Sequence, residues 1–183
     1  KNVAVLGAGN VAMDAARTAM RLGAESVRIV YRRSREEMPA RAAEIRHAEE
    51  ESIEFVFQTN PTSFLGNKEG RLVGMECQKM ESGEPDESGR HRPVPVKGSE
   101  FKMACDLAVI SVGSGANPLL TKSTTGLRLN LREYIIASET GKTSKKGVWA
   151  GGDIVTGQAT VISAMGAGRR AADSIHKYLT LGW

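Results

Sequence analysis

The chain has 183 residues, 40% of them hydrophobic and 25% charged, with a formal net charge of +4. That is enough chain to bury a core without disulfides, and the composition excludes a disordered, fibrous or collagen-like protein. No apolar run reaches the roughly 18–20 residues of a membrane span, and aromatic residues, at 5%, are too scarce for a base-stacking surface. Cys77 and Cys105 lack CxxC spacing, which excludes a disulfide framework or a zinc finger. Residues 3–6 already read as a strand, so no signal peptide is expected. The expected setting is cytoplasmic, with neither a membrane span nor nucleic acid as a partner.

Taken in chain order, KNVAVL (residues 1–6) predicts a strand buried on both faces. Gly7 to Ala12 (GAGNVA) form a glycine turn, and the run MDAARTAMRL that follows, built of the strong helix formers Ala, Met, Leu and Arg, predicts a helix closed by Gly23. VRIVY (27–31) predicts a second strand, RAAEIRHAEEES (41–52) a second helix, and residues 53–57 a third strand. This β-α-β-α-β order implies a parallel sheet with right-handed crossovers. Residues 60–105 lose the helical period and predict an antiparallel meander, with ESGEPDESGRHR (81–92) as an exposed loop. LAVISV (107–112) reads as a further buried strand, stopped by Gly113. Residues 115–130 read as mostly loop, 134–137 as a weak strand, and 143–150 as a segment ending in a short strand. A last helix is expected from Thr160 to Leu179, with Gly166 and Gly168 implying close backbone packing.

Two places carry candidate chemistry at the nucleotide end. In VAVLGAGNVAMDAA, Gly7 permits a tight turn, Gly9 lets a pyrophosphate approach the backbone, and Ala12 stands where a third glycine would allow close helix–strand packing. The free N–H groups around Asn10 and Val11 then point at the anion. A turn that only packs a helix on a sheet, or one that binds S-adenosylmethionine, fits the same glycines. At the end of the second strand, where NAD would want an acid for the ribose 2′-OH, the chain reads Tyr31-Arg32-Arg33-Ser34. The missing acid and the paired guanidiniums of Arg32 and Arg33, with Arg35 and Arg41 nearby, favour the 2′-phosphate of NADPH over both NAD and S-adenosylmethionine.

The third place is GVWAGGDIVTGQATVISAMGAGRRAA (147–172). Gly151 and Gly152 allow a ligand close to the backbone, Asp153 offers a carboxylate at a strand end, and a helix starts near Ala159 and Thr160. A turn or capping acid is the plainer reading of Asp153. His47, His91 and His176 have no partner at metal-ligand spacing, and no metal site is expected.

On LGAGNVAMDAARTA, VYRRSREEMPAR, GEPDESGRHRPVPV and WAGGDIVTGQATVISAMGAGRRAA together, the chain resembles the glutamate synthase small-subunit family of NADPH-dependent, FAD-containing oxidoreductases. That family also includes the ferredoxin:NADP oxidoreductase large subunit and the matching domain of dihydropyrimidine dehydrogenase. The resemblance implies an α/β fold: a Rossmann-like NADPH-binding domain over residues 1–113, with parallel sheet and antiparallel meander, and the C-terminal part of a split FAD-binding domain over 114–183. It implies hydride transfer from NADPH to FAD, with electrons passing to iron–sulfur clusters and a large catalytic partner subunit or domain. Gly152 and Asp153 would then serve the FAD ribityl and pyrophosphate region, and Ala159, Thr160 and Val161 the flavin pyrimidine edge. Gly113 joins the cofactor-binding set. The cofactors carry the chemistry, so no residue of this chain is expected to be catalytic. The family's cysteine-bearing N-terminal segment and its first glycine fingerprint are absent from the sequence. The chain is therefore expected to be the carboxy-terminal part of a longer protein, incomplete and inactive alone, binding NADPH and holding FAD weakly or not at all. Ser111 and Ala116 also depart from the alanine and proline usual in relatives. The alternatives are a non-catalytic NADPH-binding module, or a ferredoxin:NADP or pyrimidine-reducing relative of the same family.

Overall fold

The computed structural model describes residues 1–85 and 89–182. The chain divides into two compact units, Lys1–Gly113 and Ser114–Trp183.

In the first unit, four strands form a parallel sheet in the order β3-β2-β1-β8. They are β1 (Asn2–Leu6), β2 (Ser26–Val30), β3 (Glu54–Val56) and β8 (Leu107–Ile110). Helix α1 (Asn10–Arg21) connects β1 to β2, and α2 (Ala42–Glu50) connects β2 to β3. The alternation of strand side chains sorts β1 between two cores. Val3 and Val5 join Val27 and Ile29 against Ala12, Met13 and Ala16 of α1 and Ala48 of α2. Ala4 and Leu6 point the other way, with Val30, toward Met75, Cys77 and Cys105. This explains why β1 is uninterruptedly apolar. Each fully buried side chain such as Ile29 contributes about 1.5–3 kcal/mol.

Gly23 closes α1 as expected, with φ +89°. Its N–H donates to the Met20 carbonyl and that of Ala24 to Ala19, the paired bonds of a Schellman end. Arg17 reaches Glu51 at 3.0 Å and Glu44 at 3.5 Å, tying α1 to α2.

A second sheet covers the other face. Strand β5 (Leu72–Pro85) is its spine, pairing antiparallel with β4 (Thr59–Gly66), β6 (His91–Pro95) and β7 (Phe101–Ala104). Two expectations need correction here. Residues 81–85 and 91–92 are strand rather than loop: β5 runs to Pro85 and β6 begins at His91, with Ser82 opposite Pro93, while residues 86–88 of the expected loop lie outside the described residues. Their polar composition reflects a hairpin arm that is exposed for most of its length rather than unpaired backbone. Nor do the strands follow one another as a simple meander, because β6 and β7 both pair with β5. β8 also differs from its expectation of burial: it lies at the sheet edge, and Leu107 and Ile110 are 47% and 65% exposed.

The second unit contains α3 (Pro118–Ser123), α4 (Asp153–Thr156) and α5 (Val161–Leu181). The strands expected near 134–137 and before Gly151 reduce to isolated bridges, Leu129 with Ile135, Ala137 with Thr143 and Lys142 with Trp149. The close packing expected of Gly166 and Gly168 is found elsewhere. A Cβ on Gly151 or Gly141 would lie 3.1 Å from the Cβ of Ala167 or Ala171 respectively, whereas one on Gly168 would meet no atom within 4 Å. On α5 the alanines, not the glycines, are the small contact surface. Trp149 donates from Nε1 to Ser174 Oγ at 3.0 Å and packs against Tyr178. Among the described residues, no helix is long and apolar enough to cross a membrane.

Candidate functional site

The C-terminal ends of β1, β2 and β8 meet at Gly7. Its N–H donates to the Val30 carbonyl at 3.0 Å, and the Ser111 N–H donates to Leu6 at 2.8 Å. With φ +127°, a Cβ on Gly7 would lie 2.3 Å from the Ser111 carbonyl oxygen. Gly7 is thus required by the passage of the β8 strand end as well as by the turn. Gly9 is the opposite case, since a Cβ there would meet nothing within 4 Å. It stands as the N-cap of α1, with no side chain capping the helix and no acidic residue in the first turn. The partial positive charge of that helix start is left for an anion. Ala12 is fully buried and lets the helix sit close to the sheet, while Val11 is exposed. Asn10 turns its side chain to accept the Arg41 N–H at 2.9 Å, and the Ala40 N–H donates to Ala8 at 3.2 Å. These bonds hold residues 40–41 beside the glycine turn.

A cleft of about 500 Å³ opens at the same strand ends, lined by Gly7, Ala8, Tyr31, Arg32, Arg33, Asn60, Arg90 and Ser111 among others. It lies at the carboxyl edge of a parallel sheet, the usual place for a ligand in such folds. None of the described residues lining it is acidic. Gly9 to Val11 and Arg41 stand at the adjoining helix start rather than in the cleft wall, and Gly113, with φ +85°, follows the lining residues Ser111 and Val112.

The two expected arginines are placed differently. Arg32 is exposed. The Arg33 side chain is only 10% exposed, and its Nε donates to the His91 carbonyl at 2.9 Å. Glu37, at the end of a 3-10 turn (Arg35–Glu37), completes this corner. Its Oε1 accepts the His91 N–H at 2.7 Å, and its Oε2 accepts the Ser34 N–H at 3.2 Å. Burial pushes the Glu37 carboxyl up, but hydrogen bonds from the Ser34 and His91 backbone N–H groups and the Ser34 hydroxyl, with a smaller charge effect of the His91 ring, outweigh it and hold it below the usual carboxylate range. Sequence reasoning missed Glu37, His91 and Arg90 as a group. They come together only because the β5–β6 hairpin folds back to residues 54–58 positions earlier in the chain.

The two cysteines are free and buried. Burial, and secondarily the neighbouring Cys105, pushes the Cys77 thiol up to about 11. Burial likewise raises Cys105, so dithiol chemistry at neutral pH has no support here.

In the second unit, Gly152, Asp153, Ala159, Thr160 and Val161 are brought together. Asp153 is the first residue of α4 rather than the end of a strand, with Gly152 as its N-cap at φ +75°. Asp153 Oδ1 accepts the Ala159 N–H at 3.3 Å, and Thr160 caps α5 by accepting the Ser163 N–H at 3.2 Å. The turn role of Asp153 is therefore realised. Val161 is 75% exposed at the helix start. Beside them is a hollow of only about 120 Å³, lined by Asp153, Ile154, Gln158, Tyr134 and residues 114–117. The hollow is shallow rather than an enclosing pocket, and helix N–H groups and a carboxylate oxygen lie beside it.

An uncapped helix start at the carboxyl edge of a β3-β2-β1-β8 parallel sheet defines the first unit as a Rossmann-like α/β fold. The particular family follows from comparison: the chain belongs to the pyridine nucleotide-disulphide oxidoreductase family, whose model matches residues 1–168. It is 49% identical to the NADP(+)-dependent formate dehydrogenase subunit beta of Moorella thermoacetica, over all of this chain and 26% of that protein. It is 38% identical to the glutamate synthase [NADPH] small chain of Escherichia coli, over 98% of this chain and 39% of that one. The chain thus spans well under half the length of these relatives. Among solved structures, T. acidophilum thioredoxin reductase matches with a TM-score of 0.79 at 24% identity, over 98% of this chain and 53% of the other. Mycobacterium tuberculosis FprA in complex with NADPH matches at 0.72 and 20% identity, over 98% of this chain and 52% of the other. At those identities the likeness is one of fold.

Proposed function

We propose that this chain is the NADPH-binding portion of a flavin-dependent oxidoreductase similar to the glutamate synthase small subunit. The observation that carries the reading is the cleft at the strand ends. An uncapped helix start and an open Gly9 suit a pyrophosphate, while exposed Arg32 and the lack of an acid among the described lining residues suit a 2′-phosphate. Arg33 supports the site from behind, through its bond to His91.

FAD, when bound, supplies the N5 atom that accepts hydride from the nicotinamide C4. What this chain contributes is position. The glycine turn and α1 hold the pyrophosphate, the β2 end holds the adenosine end, and Gly152, Asp153 and the start of α5 present N–H groups and a carboxylate to one edge of the flavin. The small hollow beside Asp153 supports the expectation that this chain alone holds FAD weakly. A large partner subunit or domain and iron–sulfur clusters belong to the longer protein of this reading. The 49% identity to the formate dehydrogenase subunit, against 38% to the glutamate synthase chain, favours a second reading in which the same module exchanges electrons with a different catalytic partner.

Calorimetric titration with NADPH and then NADH tests the nucleotide reading. NADPH is expected to bind roughly 10–100-fold more tightly. Equal affinities overturn the 2′-phosphate assignment, and binding of neither overturns the nucleotide site. Stoichiometric flavin in the purified chain, visible as a yellow protein, overturns the weak-FAD proposal.

A further inference from the structure

Asn60 and Pro61 stand in the wall of the cleft together with Arg32. A strained turn brings them there. After β3 the chain leaves the parallel sheet at Gln58, whose φ of +46° is a left-handed conformation uncommon outside glycine. Three backbone bonds hold this turn. The Gln58 N–H donates to the Arg33 carbonyl at 3.1 Å, the Thr59 N–H to the Tyr31 carbonyl at 3.0 Å, and the Met80 N–H to the Gln58 carbonyl at 2.8 Å. Thr59 is fully buried, and its hydroxyl donates to the Phe57 carbonyl at 2.9 Å. The first residues of β4 are thus fixed against the segment that directly follows β2. Backbone strain persists only where the surroundings over-determine it, and it concentrates at ligand sites.

Asn60 is half-buried, and its Nδ2 donates one hydrogen to the Pro61 carbonyl at 3.2 Å. That bond sets which end of the amide is nitrogen, because the flipped amide would face oxygen with oxygen. The second N–H and the Oδ1 atom have no partner among the described residues. A donor and an acceptor side by side on a planar group match the edge of adenine, where the N6 amino group donates and the adjoining ring nitrogen accepts. The position agrees. The ribose of a dinucleotide lies at the end of the second strand, and Asn60 follows β3, next to that strand, whereas Gly7 and Ser111 line the β1 and β8 side of the cleft.

We propose that Asn60 is the residue that reads the base: Oδ1 accepts from the adenine N6 amino group and Nδ2 donates to the neighbouring ring nitrogen. This rests on the reading that the cleft holds NADPH. It fills a role that the glycine turn and the arginines leave open, since pyrophosphate and 2′-phosphate are the same whatever the base.

The test is calorimetric titration of the chain and its Asn60→Ala and Asn60→Ser variants with NADPH and with reduced nicotinamide hypoxanthine dinucleotide phosphate, which carries an oxygen where adenine has its amino group. The unmodified chain is expected to bind NADPH about tenfold more tightly than the hypoxanthine analogue, the discrimination of one amide–adenine pair. Both variants are expected to bind NADPH about tenfold more weakly and to bind the two dinucleotides within about twofold of each other. Their retained affinity for the analogue shows that they are folded. Equal affinities in the unmodified chain overturn the reading of the base. Discrimination that survives in the variants, or an equal loss of both dinucleotides, overturns the role of Asn60. Binding of neither dinucleotide by the unmodified chain is the failure of the nucleotide reading itself, seen before any variant is made, and the role of Asn60 falls with it.

Discussion

Gly7 and Gly9 sit two residues apart and answer to different demands. Alanine at Gly7 would drive a Cβ to 2.3 Å from a backbone oxygen and 2.8 Å from a backbone carbon of Ser111, at a φ of +127°. Neither neighbour can yield without moving the β8 end. Gly7→Ala should therefore cost about 3 kcal/mol or more of stability, read as a lowered denaturation midpoint. Gly9 has φ −85° and empty space around its missing Cβ. Gly9→Ala should cost about 1 kcal/mol or less, yet weaken NADPH binding clearly, because the new methyl occupies the ligand's approach. A calorimetric titration beside a denaturation curve separates the two effects, and equal behaviour of the variants would sink the distinction. The glycine pattern itself was legible in the sequence because the strand, turn and helix are contiguous. Which glycine serves the fold and which serves the ligand was not, because the atom that decides it belongs to Ser111, about a hundred residues later in the chain.

At the level of elements, α5 shows how composition can mislead. Its glycines invite a reading of close packing, but Gly168 is exposed and a Cβ there would meet nothing within 4 Å, while Ala164, Ala167 and Ala171 receive the backbone of Gly152, Gly151 and Gly141. The alanines recur at three and four residues, one face of a helix. Gly168→Ala should thus stabilise the chain by about 0.5–1 kcal/mol through helix propensity alone. Ala167→Leu should cost about 1–3 kcal/mol, because the Gly151 approach leaves no room for the larger side chain. Urea denaturation of the two variants checks both signs. The other elements divide by the same logic. β1, α1 and β2 were legible because period and caps are local signals. The β5–β6 arm was not, since an antiparallel hairpin exposed for most of its length carries the polar composition of a loop, and it is the strand pairing, Glu81 with Val94, Ser82 with Pro93 and Pro85 with His91, that distinguishes it.

Across the first unit, the corner at Glu37 joins segments that the sequence keeps far apart, and this gives it a pH dependence. The Glu37 carboxyl is held below its ordinary value by its hydrogen bonds, against the opposing effect of burial. A group whose folded value is lowered adds stability that is fully present above the unfolded value, about 4.3 for Glu, and is lost as pH falls through the folded value. The bracket between β2 and the hairpin should therefore hold at neutral pH and loosen only in acid. Many carboxylates titrate there, so the discriminating measurement is a difference. Between pH 7 and about pH 3, the unmodified chain should lose more stability than Glu37→Gln, whose amide does not titrate in that range. The variant should already be less stable at pH 7, because one amide N–H₂ faces donors in place of a carboxylate oxygen. Identical losses in the two proteins would mean that Glu37 carries no charge-dependent share of the bracket. A greater loss in the variant would reverse the sign assigned to it. With identical losses, the hairpin would have to be held chiefly by the Arg33–His91 bond and its strand pairing, with no acid-sensitive share from Glu37.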